Sequence, residues 1–297
     1  MRLLITGASG LLGSKLVNVA LTKNIEVYAG YNKNMPNFGI PVLLDVSDKN
    51  QVKKTFELVK PDVVVHAASL VDVDKCELDP TIAWKINVDG AINIANSVAK
   101  MGCFLVYVST DYVFSSKKCL HKEYDRTKPI NYYGVTKLKA EQASLHLVPL
   151  CCIARTSVIY GTASTAGKIN FALWILEKLK KGEKIQIATD QYNSPTLNTN
   201  LADMIIDVIE QRLSGIFNLC GASRVSRYNF AISLANTFDL AAHLIEPVSA
   251  SSFNWTAKRP MDSSLDVSKT QQLLRVKPLS LHNALATLKT ELTKSEK

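Results

Sequence analysis

Short apolar runs alternate with amphipathic stretches over the first half of the chain. The apolar runs are typical of strands buried on both faces of a sheet; they read RLLITG, EVYAGY, PVLLDV, DVVVHAAS, FLVYVST and LCCIARTSVIYG. The stretches between them have helical spacing, and the predicted helices are LLGSKLVNVALTK, QVKKTFELVK, residues 81–99 and YYGVTKLKAEQASLHL. This alternation predicts an α/β fold of the Rossmann type, a doubly wound parallel sheet with helices on both faces.

Ligands of such sheets bind beyond the carboxyl ends of the strands. The residues that this rule places along one rim are Gly7, Asn32, Asp45, Ala67, Thr110 and Ser157. We therefore expect the ligand-binding and reactive side chains at these strand ends.

The pattern loosens after Gly161. Helices are expected over INFALWILEKLKKG, LADMIIDVIEQ, RYNFAISLANTF and the tail from Ser268, with strands at KIQIATDQ and GIFNLCG. We expect residues 1–160 and about 196–221 to form a dinucleotide-binding domain. Residues from about 161 to 195 and 222–297 would form a smaller C-terminal substrate-binding lobe.

Composition narrows the class of protein. The 297 residues are 47% hydrophobic and 21% charged, which is ordinary for a globular protein. No apolar run approaches the roughly 18 residues of a membrane span, and the N-terminus enters a glycine motif directly, so we expect a cytoplasmic protein without membrane association. The net charge of +9 is scattered along the chain. A site for phosphorylated ligands accounts for it more economically than nucleic-acid binding.

The six cysteines form no CxxC pair, which argues against a zinc or redox motif. We expect them to be buried thiols.

A glycine motif, TGASGLLG, follows the first strand and opens the first helix. Its glycines are Gly7, Gly10 and Gly13. Such a loop needs a tight turn, a close backbone approach to a pyrophosphate and close packing of helix on strand. The position between a strand and a helix makes this motif a strong indication of dinucleotide binding.

The second strand ends in Ala29-Gly-Tyr-Asn-Lys33-Asn without a carboxylate for a ribose 2′-hydroxyl. Lys33 could instead meet a 2′-phosphate, which favours NADPH while leaving NADH possible. Asp45 could accept from the adenine amino group, and small residues after the fourth strand let backbone lie against the cofactor. The predicted cofactor-binding residues are Gly7, Ser9, Gly10, Leu11, Leu12, Gly13, Asn32, Lys33, Asp45, Val46, Ala67, Ala68, Ser69, Asn87, Tyr133 and Lys137.

Tyr133 and Lys137 form a YxxxK pair on a predicted helix, with both side chains on one face. A nearby ammonium favours the phenolate and lowers the tyrosine pKa from about 10. Thr110 ends the fifth strand, next to this helix, and can hydrogen-bond a substrate carbonyl. Thr110, Tyr133 and Lys137 together suit hydride transfer at a C–O carbon. Glu141, one turn beyond Lys137, is expected to be structural.

Several motifs together resemble the dTDP-4-dehydrorhamnose reductases, which belong to the extended short-chain dehydrogenase/reductases. They are TGASGLLG, VSTDYVF, PINYYGVTKLKAE, ART with IYG, DQYNSPT with LAD, and RPMDSSLD. The resemblance implies that Thr110, Tyr133 and Lys137 are catalytic. It also implies that NADPH or NADH reduces a nucleotide-sugar substrate, dTDP-4-dehydro-L-rhamnose, to dTDP-L-rhamnose. The substrate-binding residues that it implies are Thr110, Asp111, Tyr112 and Arg259. A homodimer is a possible assembly.

Two positions depart from the family pattern. Val158 stands where many members have Trp, which removes an aromatic wall near the sugar and leaves the exact substrate open. Lys15 stands where some members have an acidic residue linked to a metal at a dimer interface, so we expect no metal.

Two other functions are compatible with the resemblance. One is that of another nucleotide-sugar epimerase or dehydratase of the same superfamily. The other is that of a non-catalytic nucleotide-binding regulatory subunit, resembling that of methionine adenosyltransferase.

Overall fold

A computed structural model describes residues 1–115, 118–162 and 169–295. The strands in chain order are β1 Arg2–Thr6, β2 Glu26–Tyr31, β3 Ile40–Leu43, β4 Val63–His66, β5 Phe104–Thr110, β6 Cys151–Thr156, β7 Ile159–Tyr160, β8 Ile185–Ala188, β9 Tyr192–Asn193, β10 Thr196–Leu197, β11 Gly215–Asn218, β12 Val225–Ser226 and β13 Ile245–Val248. The helices are α1 Leu11–Thr22, α2 Lys49–Val59, α3 Val73–Leu78, α4 Pro80–Trp84, α5 Gly90–Met101, α6 Tyr132–Leu147, α7 Phe171–Lys180, α8 Asn198–Gln211, α9 Arg227–Thr237, α10 Ser268–Leu273 and α11 Leu281–Ser295. Within these ranges, every helix falls short of the length and apolarity that a membrane span requires.

The central sheet has seven strands in the order β11-β6-β5-β4-β1-β2-β3, and all neighbouring pairs are parallel. Helices α1 and α8 cover one face, where Leu16 and Ile205 share a core with strand residues such as Val106. Helices α2, α5 and α6 supply the core of the other face, with Phe56 and Ile94 among its buried residues. The predicted Rossmann-type, doubly wound sheet is confirmed.

Strand β5 lies inside this sheet, between β4 and β6, and each of its seven residues is buried. Its apolar part, FLVYV, packs on both faces, as an interior parallel strand requires. Its last two residues, Ser109 and Thr110, are polar and also buried, so their hydroxyls need partners within the protein.

The predicted helix over residues 81–99 is interrupted. A π-turn at Lys85–Asp89 separates α4 from α5. Within that turn the Asn87 side chain donates to Thr136 Oγ1 of α6 at 3.0 Å and to the Leu70 carbonyl at 3.1 Å. These tertiary contacts accompany the local change of helix type, which hydrophobic spacing alone does not encode.

The predicted sixth strand divides in two. Val158 has a φ of 35°, a left-handed conformation that a β-branched residue adopts rarely. The chain therefore leaves the central sheet after Thr156, and Ile159–Tyr160 pairs with Thr196–Leu197 instead.

The expectation that all cysteines are buried is wrong at one position. Cys119 is exposed, whereas the other five cysteines are buried.

A separate core lies in the second half of the chain, where α7, α9 and α11 pack with β8 and β13. Tyr160 and Phe230 are at its centre, with their rings edge-on at 5.2 Å between centroids. The Tyr160 hydroxyl is buried and has no hydrogen-bond partner among the described residues.

This hydroxyl leads to a stability prediction. A buried hydroxyl without a partner costs about 1–3 kcal/mol, so Tyr160→Phe is expected to leave the free energy of unfolding unchanged or to raise it. Tyr160→Ala is expected to cost about 3–5 kcal/mol because it leaves a cavity. Urea unfolding measures both, with Tyr124→Phe as a control because Tyr124 is 80% exposed. A clear loss of stability in Tyr160→Phe would mean that the hydroxyl is hydrogen-bonded in solution.

Candidate active site

The glycine loop joins β1 to α1 at the carboxyl edge of the sheet. Gly7 has a φ of 69°, and a Cβ there would lie 2.9 Å from the backbone of Ala68. A Cβ on Gly13 would collide with the Gly7 carbonyl and lie 2.8 Å from the Ala8 Cα. Gly10 is the N-cap of α1 and provides no side-chain cap, so backbone N–H groups at this helix end remain available to an anion.

Other predicted cofactor positions follow the carboxyl ends of β2, β3 and β4. Asp45 is half-buried, and its Oδ1 accepts from the Ser47 amide at 2.9 Å and from the Ser47 hydroxyl at 2.8 Å. Val46 is buried against Gly90, while Asn32 and Lys33 are exposed beyond β2. Ala67, Ala68 and Ser69 follow β4 and are half-buried.

The Asn87 side chain is fully engaged within the protein. Its Oδ1 accepts from the Ser69 hydroxyl at 2.9 Å and from the Leu70 amide at 2.7 Å. Together with its bonds to Leu70 and Thr136, this makes Asn87 a link between the loop after β4 and helix α6. Its predicted contact with cofactor stays a prediction.

Thr110 and Tyr133 are brought together at the end of β5. The Thr110 hydroxyl lowers the pKa of the nearby Tyr133 phenol, but burial outweighs that influence and holds the pKa above the ordinary value of 10.0. The predicted lowering by Lys137 is therefore not the dominant influence on this phenol. Tyr112 lies edge-on to Tyr133, with 6.0 Å between ring centroids.

Lys137 lies one turn further along α6 and is buried. Its Nζ donates to the Val108 carbonyl of β5 at 2.7 Å and lies 4.3 Å from the centroid of the Tyr107 ring. Burial lowers the pKa of Lys137 to about 7, and the nearby charge of Glu141 opposes that shift. The YxxxK pair thus faces the same strand end as Thr110.

Glu141 forms a buried ion pair with Arg155 of β6. Its Oε1 accepts from Arg155 Nε at 3.0 Å and its Oε2 from Arg155 Nη2 at 2.8 Å. The Ser109 hydroxyl donates to the same Oε1 at 2.5 Å. The side chains of Glu141 and Arg155 are 2% and 3% exposed. Sequence reasoning assigned Glu141 a structural role but did not identify Arg155 as its partner.

Asp111 follows Thr110 and accepts three hydroxyl hydrogen bonds. They come from Thr110 at 3.0 Å, from Ser157 at 2.8 Å and from Ser263 at 2.5 Å. Burial raises the pKa of Asp111, and the three hydroxyls oppose that change. Its carboxylate therefore ties the end of β5 to the segment around Ser263. Its predicted contact with the sugar stays a prediction.

Two arginines lie beside Tyr112. Arg259 donates from Nη2 to Asp74 Oδ2 at 2.7 Å, and its buried Nη1 has no partner among the described residues. Arg227 lies near Tyr112, and its guanidinium is 4.8 Å from the centroid of the Phe171 ring. The buried Nε of Arg227 likewise has no partner in the described part of the chain. Burial, together with the charge of Arg259, lowers the pKa of Arg227.

Arg227 was not among the residues predicted from the sequence. It is the first residue of α9, at the positive end of the helix dipole, where a cation is unfavourable. A cation at this unfavourable position is the sequence feature that could have indicated a functional role for Arg227. Two neighbouring guanidinium groups with unpaired N–H donors are suited to an anion with several oxygens.

The structure also describes the two positions that depart from the family pattern, Lys15 and Val158. Lys15 on α1 pairs with Glu291 of α11 at 3.3 Å, and Val158 lies half-buried after β6. In residues 1–115, 118–162 and 169–295, no group of three or more His, Cys, Asp or Glu side chains is arranged to hold a metal ion.

Comparisons with known proteins show the family of this chain. The family model described as the RmlD substrate binding domain matches residues 1–294. The chain belongs to this family. The resemblance to dTDP-4-dehydrorhamnose reductases is confirmed as well, because that enzyme of Aggregatibacter actinomycetemcomitans is 30% identical over 97% of this chain and 98% of its own length.

Two further proteins that are similar to this chain have different names. The crystal structure of dTDP-4-dehydrorhamnose reductase from Bacillus anthracis in complex with NADP has a TM-score of 0.89 at 30% identity, covering 98% of this chain and 99% of that one. The methionine adenosyltransferase 2 subunit beta of Xenopus tropicalis is also 30% identical, over 92% of this chain and 82% of its own.

The Glu141–Arg155 pair leads to a second stability prediction. Arg155→Met leaves a buried carboxylate without its partner, which costs about 3–5 kcal/mol. The double variant Glu141→Leu/Arg155→Met leaves no buried charge at this pair and is expected to cost less than Arg155→Met. Urea unfolding of the variants measures the difference, and Glu177→Gln, in an exposed ion pair with Lys181, is the control without measurable change. Equal losses in the single and double variants would contradict the buried pairing.

Proposed function

We propose that this protein is an NADPH-dependent reductase of a nucleotide-linked 4-keto-6-deoxy sugar. The reaction expected is reduction of the C4 ketone of dTDP-4-dehydro-L-rhamnose to give dTDP-L-rhamnose. The observation that carries the proposal is the convergence of Thr110, Tyr133 and Lys137 at the end of β5, on the same edge of the sheet as the glycine loop.

The glycine loop fits a dinucleotide. Side chains at Gly7 and Gly13 would fill the space close to the loop backbone, and the uncapped start of α1 offers N–H donors to a pyrophosphate. Lys33 is exposed beyond β2, where it can meet a 2′-phosphate, and this supports NADPH over NADH. When bound, the nicotinamide cofactor would supply the hydride.

The protein residues would supply the proton and the orientation. The Thr110 hydroxyl, which donates to Asp111 Oδ1 in this structure, would turn to donate to the ketone oxygen, and Tyr133 would donate its phenolic proton to that oxygen as C4 becomes a carbinol. Lys137, as an ammonium, stabilises the phenolate that this transfer leaves on Tyr133 and binds ribose hydroxyls. The high pKa of Tyr133 keeps the phenol protonated before the transfer.

The arginine pair supports a substrate with a diphosphate. Arg227 and Arg259 have unpaired N–H donors beside Tyr112, and Tyr112 in turn contacts Tyr133. A nucleoside diphosphate held there would carry its sugar towards Thr110. On this proposal, residues 1–160 and about 196–221 bind the cofactor, while the lobe from about 161 to 195 and 222–297 binds the nucleotide sugar. Part of that division, residues 163–168, lies outside the described residues.

A regulatory role is the second candidate. The methionine adenosyltransferase 2 subunit beta of Xenopus tropicalis is as similar in sequence, at 30% identity, as the reductase relative. Incubation with dTDP-4-keto-6-deoxy sugars and NADPH distinguishes the two, because a reductase consumes reduced nicotinamide in proportion to sugar. Cofactor binding without turnover of any such sugar, together with association with a synthetase, would favour the regulatory subunit. An epimerase or dehydratase would instead regenerate its cofactor in each cycle.

Tyr133→Phe tests the proton donor. General acid catalysis by a side chain contributes about 10²–10⁴-fold, so we expect kcat to fall by that factor while the Kd for NADPH changes little. Tyr132→Phe is the matched control, because Tyr132 is five residues from Lys137 and points elsewhere on the helix. Near-normal ketone reduction by Tyr133→Phe would contradict the assignment of Tyr133 as the proton donor.

Gly13→Ala tests the cofactor loop. The added methyl meets the Gly7 carbonyl and the Ala8 Cα, so the loop must shift and NADPH affinity is expected to fall about tenfold or more, a loss of about 1.4 kcal/mol. Gly102→Ala is the control, because Gly102 has a φ of 68° with open space around it. It costs stability through backbone strain alone and should leave affinity unchanged. Titration of nicotinamide fluorescence measures both, and equal affinities would contradict the loop assignment.

A further inference from the structure

Helix α6 is joined to the end of β5 by two side chains one turn apart. Lys137 donates to the carbonyl of Val108 at 2.7 Å, and Glu141 accepts from the hydroxyl of Ser109 at 2.5 Å. The next residue of the strand is Thr110. These two bonds fix the register between the helix that carries Tyr133 and the strand that carries Thr110.

Arg155 fixes Glu141 in turn. Both carboxylate oxygens accept from the Arg155 guanidinium, whose Nη1 also donates to the Glu123 carbonyl at 3.0 Å. The guanidinium lies 5.0 Å from the centroid of the Phe114 ring, which limits its movement. A bidentate pair with a third donor at Ser109 is the arrangement that holds a carboxylate ionised in a buried place.

Lys137 is surrounded by groups from several elements. The titratable groups that face it are His66 on β4, Cys76 on α3, Tyr107 on β5, and Tyr133 and Glu141 on α6. Burial lowers the pKa of His66 to about 3 and raises that of Cys76 to about 11, so both are neutral near pH 7. Both tyrosines are neutral there as well, because burial raises their pKa values. Among these five groups, Glu141 is the one carboxylate, and the charge of its partner Arg155 on β6 acts on Lys137 in the opposite sense.

We propose that Glu141, held by Arg155 and Ser109, is a positioning residue that keeps the amine of Lys137 protonated and aligned beside Tyr133. This inference rests on the proposed function for its catalytic meaning, but the protonation of Lys137 can be measured without any substrate. A carboxylate one helical turn away favours the ammonium form, and burial disfavours it. The two influences balance near neutral pH, where the reaction needs the ammonium.

The test is a direct titration of Lys137. Protein labelled with ¹³C at lysine Cε gives one resonance per lysine, and the Lys137 signal is assigned by its loss in Lys137→Arg. The wild-type midpoint is expected at about 7. Glu141→Gln keeps the shape of the side chain and removes its charge, so the midpoint should fall by about one unit or more.

Further variants separate charge from packing. Glu141→Gln/Arg155→Gln leaves no unpaired buried charge, so it is expected to fold even if the single variant does not. Because it removes the opposing charge of Arg155 together with that of Glu141, its midpoint should lie below that of the wild type and above that of Glu141→Gln. Arg155→Lys keeps both charges and should titrate as wild type. Glu177→Gln on the exposed face of α7 is the control for carboxylate loss. A wild-type midpoint in the folded Glu141 variants would overturn the inference.

Activity gives an independent readout. If the protein reduces keto-sugars, the alkaline limb of its kcat/KM profile should move to lower pH in the Glu141 variants, together with the Lys137 midpoint. A purely structural role of Glu141 would lower kcat without moving that limb. If no keto-sugar is reduced but the midpoint falls, the proposed function fails and the placement of Glu141 stands. If reduction proceeds and the midpoint does not move, the placement of Glu141 fails and the proposed function stands.

Discussion

The close approach of helix α6 to the carboxyl end of strand β5 is the contact on which the rest of the site depends. A side chain at Gly134 would collide with the Tyr112 carbonyl and come within 2.9 Å of Pro129 Cβ, so the helix can lie this close only because glycine stands there. Asn131 caps the start of the helix, where its Oδ1 accepts from the Gly134 amide at 2.8 Å. Cap and glycine together place Tyr133 near Thr110, whose hydroxyl lowers the pKa of the phenol.

Burial at this contact has two opposite consequences. It excludes water from the hydroxyl, the phenol and the amine, which strengthens their mutual interactions. It also penalises the ammonium form of Lys137, and a nearby negative charge opposes that penalty. Glu141 supplies that charge, and its ion pair with Arg155 holds the carboxylate in place. A buried ion pair contributes little net stability, so its position next to Lys137 is better explained by what it does to the amine.

The extent to which sequence predicts this site follows from the range of the contacts. Strand periodicity, the glycine loop and the YxxxK pair depend on residues a few positions apart, and they were predictable. Arg227 and the Asp111–Ser263 bond, across 152 positions, depend on how the lobe folds back on the sheet. The π-turn at Asn87 likewise depends on tertiary contacts, with Leu70 and Thr136. The left-handed Val158, which ends β6 early, carries no glycine or asparagine as a signal.

The cap of α6 also connects the two ends of the proposed substrate site. Asn131 caps the helix with its oxygen and donates from Nδ2 to the Lys258 carbonyl at 2.9 Å. The next residue, Arg259, is bound to Asp74 of α3, and the Ala257 amide donates to the same carboxylate at 2.9 Å. The arginine proposed for the diphosphate and the helix that carries the proton donor thus share one anchor. The hydrogen bonds of this anchor hold Arg259 and Tyr133 at a separation that the fold sets.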